Sequence, residues 1–443
     1  MKSRYTTRPA GTGDGQSRVP GEVRGARRPG KTELRWYLGG AAAARAGDEM
    51  SGPALLLLGL AVTGRPATGS ELLASVIIAG AVGGPVFGAL LDRSRRPDRV
   101  LAMTLTAYAL GIVAIQATAG RLPMPAVVLI ALITGLFNPA VAGGWTAQLP
   151  RIVTGRELDR GSALDAMTYS AASLIGPALA ALIAAGFGAR PAVMVAAALV
   201  ALAVPAACSL ARYRPPPLAV PLQSAYRQVA AGFAVIVTRR PLLRATLTSV
   251  VSYVGLGMLL VCFPVLGAQR LGGAPRGALL ISAIAAASLT ANALLARRPP
   301  RGQPDTGVLA STLVIGASTA ATVVAPGWLT VLAVAVGGAG DGPQLASLFA
   351  VRHRETPEHM RGQVYTTAAS LKIAGFAAGA ALAGPLAGRS VTACLLVAAG
   401  FQVCAAAAYL LTGSKGRGVG TPAEASPRTA GTGAVGDTTA RSE

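Results

Sequence analysis

The residues best equipped for chemistry in this chain are charges in stretches that otherwise carry none. Arg45, Asp48 and Glu49 fall within five residues of one another inside the apolar run 36–61. An ionisable group in a segment of membrane-spanning length is expensive, and it persists where it handles an ion, a proton or a polar ligand. Counted from Trp36 at about 1.5 Å per residue, Asp48 lies about 18 Å along a helix, near the middle of a bilayer. Arg45 reaches Asp48 at i,i+3 and Glu49 at i,i+4, and one cation cannot neutralise both acids. The longer Glu49 is the better bridge to Arg45, which leaves Asp48 as the group able to bind a proton facing one side and release it facing the other. The alternative is a purely structural ion pair. Asp341 sits in the deformable stretch Gly337-Gly338-Ala339-Gly340-Asp341-Gly342-Pro343-Gln344. Lys372, about two turns inside the run 364–387, either snorkels to the headgroups or pairs with Asp341. Asn138, Gln148, Asn292 and Gln344 offer hydrogen-bonding groups to a central cavity, or else join helices to one another. The expected proton-coupling and cavity set is therefore Arg45, Asp48, Glu49, Asp341, Lys372 and Asn138.

The elements that must hold these residues are apolar runs of spanning length. The 443 residues are 52% hydrophobic and only 13% charged, against roughly 25% charged in a soluble domain. Twelve runs are long enough for a bilayer: 36–61, 71–91, 99–119, 124–148, 164–187, 190–211, 242–267, 276–296, 306–325, 328–350, 364–387 and 390–412. This predicts an all-α integral membrane protein of twelve helices. The runs 124–148, 164–187 and 364–387 are rich in Gly and Pro, which membrane helices tolerate.

Lysine and arginine alternate between the two sides. With both termini cytoplasmic, 32 of the 40 fall on the cytoplasmic side and six opposite (Arg65, Arg121, Arg190, Arg270, Arg276 and Arg389), with Arg45 and Lys372 left inside helices. That asymmetry supports cytoplasmic termini and accounts for the net charge of +22. The basic residues form no continuous face, and only 5% of residues are aromatic, so nucleic acid is not an expected partner. Cys208, Cys262, Cys394 and Cys404 all lie in apolar runs without metal-ligand spacing and are expected to be buried free thiols. His353 and His359 are expected in one polar loop.

The longest connection, 212–241, divides the chain into bundles of six helices at 35–211 and 242–412. It opens with Tyr213-Arg214-Pro215-Pro216-Pro217, which cannot continue a helix. It then reads as an amphipathic helix over 222–238, with Leu222, Tyr226, Val229, Phe233 and Val237 on the face expected to lie along the membrane surface. The ends, 1–34 and 413–443, have the composition of disordered cytoplasmic tails, with no signal peptide. The halves are weakly repetitive: Gly88-Ala-Leu-Leu-Asp92-Arg93 matches Asn292-Ala-Leu-Leu-Ala296-Arg297, Pro139 matches Pro343 at the same offset of 204, and Arg160-Gly161 matches Arg361-Gly362 at 201.

After the second run comes Gly88-Ala-Leu-Leu-Asp92-Arg93-Ser-Arg95-Arg96. Together with six plus six helices, this resembles the major facilitator superfamily over about 35–412. Gly88, Asp92, Arg93 and Arg96 match that family's motif, while Arg95 stands where it has a second Gly. The resemblance implies that Asp92 meets the start of helix 11 and helps close the cytoplasmic side; the alternative is a basic stop cluster that only sets topology. Gly176-Pro177, followed by Ala180-Ala181 where the family pattern has paired glycines, resembles the helix-5 signature of antiporters.

The expected function is secondary active transport by alternating access: proton-coupled efflux of a small amphipathic molecule across the inner (plasma) membrane, by a monomer in membrane lipid, with no cofactor and no metal. Proton-linked uptake is the alternative within transport. An integral-membrane enzyme acting on lipid-like substrates is the alternative outside it, but the acid–base constellation such an enzyme needs is not evident. ATP-driven transport is disfavoured because no phosphate-cradling loop is present.

Overall fold

The computed structural model describes residues 31–153, 157–210, 225–298 and 303–412, and all regular structure in them is helical. Six α-helices open on proline at their first positions, where the missing N–H costs nothing. The N-terminal set comprises α1 (Lys31–Thr63), α2 (Pro66–Arg93), α3 (Pro97–Thr118), α4 (Met124–Gly135), α5 (Gly143–Thr146), α6 (Glu157–Phe187), α7 (Ala189–Leu202) and α8 (Val204–Ser209). After α9 (Ala225–Thr238), the C-terminal set comprises α10 (Arg240–Arg270), α11 (Ala278–Arg297), α12 (Pro304–Val324), α13 (Leu329–Glu355), α14 (Arg361–Arg389) and α15 (Val391–Leu411).

Ten segments are long and apolar enough to cross a membrane, with α4–α5 and α7–α8 each counting as one. The two other long helices, α1 and α13, carry the internal charges Arg45, Asp48 and Glu49, and Asp341. The outer surface is apolar as a bilayer requires: Ile78, Val82, Val86 and Leu90 form an exposed i,i+4 stripe on α2. Gly80, Gly84 and Gly88 form a second stripe on the same helix, turned toward other helices.

The run 124–148 is not one continuous helix. After α4 the chain passes through a 3₁₀ turn Asn138–Ala140, the single turn of α5, and a second 3₁₀ turn Leu149–Arg151. Pro139 and Pro150 withdraw backbone donors here, and nearly every residue from Pro139 to Pro150 is buried in protein, the setting in which irregular backbone is tolerated at membrane depth. Nearby, α13 runs on to Glu355, so Arg352 and His353 are buried helical residues rather than members of a loop with His359. Cys262 and Cys394 are buried, whereas Cys208 and Cys404 are exposed on outward-facing helix surfaces, contrary to the expectation for those two.

One large apolar core draws entirely on residues 34–210 and another on 256–401. A smaller cluster joins the two sets, bringing Ala147, Ala163 and Ala166 against Ala296, Leu345, Phe349 and Tyr365. The linker helix α9 packs its Ile236 with Leu242, Met360 and Val364, and its Gly232 sits against the Gln363 side chain. Phe233 and Val237, two residues of the expected apolar face, point away from the protein. Leu222 lies outside the described residues.

Candidate functional site

Arg45 is fully buried, and its partner is not on its own helix. Its guanidinium grips the Asp165 carboxylate of α6 with two nitrogens, at 2.9 and 3.2 Å. Asp165 also accepts hydrogen bonds from Tyr37 (2.9 Å) and Thr146 (2.8 Å), and Thr146 accepts from Arg45 (2.9 Å). Thr168 accepts from Arg45 as well, and the guanidinium lies 3.6 Å from the centre of the Tyr169 ring. A buried pair with this many partners is a structural lock: removing either charge strands the other. The expected Arg45–Glu49 bridge is therefore overturned, and Asp165, at the start of its apolar run, is the residue that the local spacing argument missed.

Both α1 carboxylates are consequently left for other roles. Asp48 Oδ1 accepts from the Tyr108 hydroxyl on α3 and the Asn138 amide, each at 2.6 Å. The interruption of the fourth run is what presents Asn138 here, in its 3₁₀ turn. Glu49 is exposed although it lies mid-helix, and it makes no hydrogen bond or ion pair with any described residue. Behind it, α6 comes so close that a Cβ at Gly176 would stand 2.8 Å from Glu49 Cβ. Gly176 thus allows the contact between α1 and α6, and Pro177 follows inside α6.

Across from α1, Lys372 of α14 donates to the Tyr253 hydroxyl at 3.4 Å and lies 4.4 Å from the Tyr253 ring centre and 5.8 Å from that of Tyr169. It makes no ion pair within 4 Å among the described residues, but Asp341 and Glu49 are both near enough to act on its charge. Tyr169 thus lies between a cation of the N-terminal set and one of the C-terminal set. It leads by ring contacts to Phe349 and then Tyr365, at 5.9 and 6.5 Å, so a chain of aromatic rings crosses from one set of helices to the other.

The sets also meet through Asp92, whose two oxygens each accept a backbone hydrogen bond of 2.7 Å, from Gly362 and Gln363 in the first turn of α14. That turn has no acidic residue and no side-chain cap of its own, so Asp92 supplies from α2 both the missing acceptor and the negative charge favoured at a helix N-terminus. A Cβ at Gly88 would run into Gln363 and Thr366, so only glycine allows this approach. Arg93 and Arg96 are exposed. The cations that act on Asp92 are instead Arg151 and Arg361.

Comparison with known proteins places this arrangement. The sequence model of the Major Facilitator Superfamily matches residues 37–380. An uncharacterized MFS-type transporter of Sinorhizobium fredii, y4rN, is 29% identical over 363 residues, covering 80% of this chain and 89% of that one. Among solved structures, a bacterial homologue of the iron transporter ferroportin in an outward-facing state is similar with a TM-score of 0.72 at 14% identity, over 86% of this chain and all of that one. The human organic anion transporter MFSD10 gives 0.71 at 16% identity, over 86% and 100%. The Escherichia coli fucose:proton symporter gives 0.67 at 12%, over 87% and 99%. At these identities the structures speak for the fold. The match to the family across most of the chain, on a set of long apolar helices, shows a multi-pass membrane transporter rather than an enzyme: the chain belongs to the major facilitator superfamily.

Proposed function

We propose that this protein is a proton-coupled exporter of small amphipathic molecules in the inner (plasma) membrane, working by alternating access as a monomer. In this reading α1 and α13 also cross the membrane, which gives twelve spans in bundles 35–211 and 242–412 with both termini cytoplasmic. Asp92 then lies on the cytoplasmic side, and its contact with α14 holds that side closed. Gly88 and Asp92 form the seam of a cytoplasmic gate, with Arg93 and Arg96 flanking it at the headgroups. The exposed Phe233 and Val237 of α9 rest on the membrane surface beside that gate.

The observation that carries the reading is Glu49: an exposed carboxylate in mid-helix, beside a second carboxylate and without an ionic partner in contact among the described residues. Such a group can hold a proton in one facing and give it up in the other. Asp48, with Tyr108 and Asn138 as neutral donors, forms the inner half of the same acid pair. Arg45 and Asp165 hold α1 against α6 so that both carboxylates stay in place.

The test uses purified protein in liposomes with an imposed pH gradient and a panel of amphipathic compounds. Wild-type protein should move substrate against the proton gradient. Glu49→Gln should lose gradient-driven transport by roughly 10²-fold, the scale on which a single positioned proton-transfer group acts, while keeping downhill exchange. If Glu49→Gln and Asp48→Asn both transport like wild type with the same pH dependence, α1 is not the coupling element. Substrate movement inward with the proton would establish uptake instead.

A further inference from the structure

The linker helix α9 has two apolar faces, and only one of them is covered by protein. On that face Gly232 lies against the Gln363 side chain, and Ile236 packs with Leu242, Met360 and Val364. Gln363 is the residue whose backbone N–H donates to Asp92, and α9 packs against α2 as well as α14. The helix therefore lies across both partners of the Asp92 contact. Arg239, directly after it, donates to the Glu355 carbonyl at the end of α13 at 2.7 Å. The other face carries Ala230, Phe233, Ala234 and Val237, all exposed and spaced i, i+3, i+4 and i+7. Arg227 stands at one end of this stripe, and Arg239 and Arg240 at the other, all three exposed. No acidic residue lies between Ala225 and Arg244. The chain leaves α9 at Thr238 and enters the long apolar helix α10 at Arg240, so the last turn of α9 sits where a spanning helix meets the headgroups.

Resting on the reading of the Asp92 contact as a cytoplasmic gate, we propose that the outer face of α9 binds anionic phospholipid of the cytoplasmic leaflet, and that this binding clamps the α2–α14 seam shut. An apolar stripe with cations at its ends and no carboxylate is the pattern of a helix lying in a membrane interface, with its apolar side chains at the acyl boundary and its arginines among the headgroup phosphates. Neutral lipid covers the stripe; only an anionic leaflet also attracts the cations at its ends. In the docked position α9 touches both sides of the seam, so whatever holds the helix there favours the closed state. Separating α14 from α2 takes one of its two supports from α9. The lipid acts here as a regulator of the gate, not as a substrate.

The test places the full-length protein, its native cysteines replaced, one copy per lipid nanodisc, so that no second copy can cover the face. The discs hold either phosphatidylcholine alone or phosphatidylcholine with a third replaced by phosphatidylglycerol. Spin labels on cysteines at the exposed positions Arg95 and His359, one on each side of the seam, report its width in the Asp92→Asn background, where the open population is raised. One arginine near an anionic leaflet is worth roughly fivefold in binding, so phosphatidylglycerol should lower the open population at least about fivefold. High salt should shrink that effect. Arg227→Gln combined with Arg240→Gln should remove most of it, and so should Phe233→Ser combined with Val237→Ser. Equal distance distributions in the two lipids would overturn the proposal. So would an effect that survives both double variants, or the same closure produced in neutral discs by inorganic phosphate, which would assign the site to a free anion. The gate reading fails separately. If Asp92→Asn does not open the seam in neutral discs, the gate is lost and this proposal with it; if it does and lipid charge changes nothing, only the lipid clamp is lost.

Discussion

Two seams join the N-terminal and C-terminal sets of helices at the Asp92 end of the bundle, α2 against α14 and α11 against α6. The weak internal repeat makes them counterparts, since Asp92 corresponds to Ala296 and Arg361-Gly362 to Arg160-Gly161. Their chemistry differs. In the first, a carboxylate from one set caps a helix of the other. In the second, the contact is neutral: Ser170 and Ser288 share a hydrogen bond of 2.7 Å, Asn292 donates to Ser170 at 3.4 Å, and Ala296 packs with Ala163 and Ala166. The helix starts explain the difference. The first turn of α6 contains its own acids, Glu157 and Asp159, whereas that of α14 has none. A helix that brings its own negative charge to its N-terminus has no use for one from outside; α14 depends on α2. One seam thus holds through a charged helix cap, and the other through neutral hydrogen bonds and close packing.

The comparison can be broken most severely at Gly88. Gly88→Leu puts a side chain where Gln363 and Thr366 already stand, and overpacking of this kind costs about 1–3 kcal/mol or more. The seam should fail to close, which would show as a large loss of transport and strong thiol labelling of a cysteine placed at Thr366. Asp92→Asn should act less severely: the amide keeps one acceptor but loses the charge, at a cost of about 1–2 kcal/mol, and protein yield should stay near normal while transport falls. Ala296→Asp sharpens the contrast. If α6 is already served by Glu157 and Asp159, the new carboxylate should meet like charge and destabilise the α11–α6 seam slightly, seen as a lower melting temperature; a gain in stability would mean that the two seams differ by accident of sequence. Ser170→Ala should be the mildest change, about 1 kcal/mol or less, with transport nearly intact.

The α2–α14 seam was legible in the sequence because its parts are local: a glycine, a carboxylate at a helix end and a basic cluster within nine residues, with the partner supplied by family resemblance. The spanning runs were legible for the same reason, and the extents of α2, α11 and α15 lie close to those of their runs. What could not be read was anything set by distance in sequence. Arg45 and Asp165 are 120 positions apart, and nothing in α1 signals that its cation is already taken; the i,i+4 rule favoured Glu49 because that rule sees only one helix. Tyr108 belongs to the Asp48 site through a single hydroxyl 60 positions away, and Asn138 reaches it only because the fourth run breaks into 3₁₀ turns. The α9 helix was foreseen, but its other face turned out to be the docked one: Gly232 and Ile236 are small and apolar enough to seat against α14, which leaves Phe233 and Val237 outward.

The claim on which the account turns is that the α2–α14 seam opens and closes and that the Asp92 charge biases it shut. Spin labels on cysteines at the exposed positions Arg95 and His359, in a protein whose four native cysteines are replaced, report the width of that seam by pulsed electron resonance. Wild-type protein should show mainly a short separation, and Asp92→Asn a second, longer population raised roughly tenfold, the equivalent of about 1.4 kcal/mol. Identical distance distributions in the two proteins would contradict it.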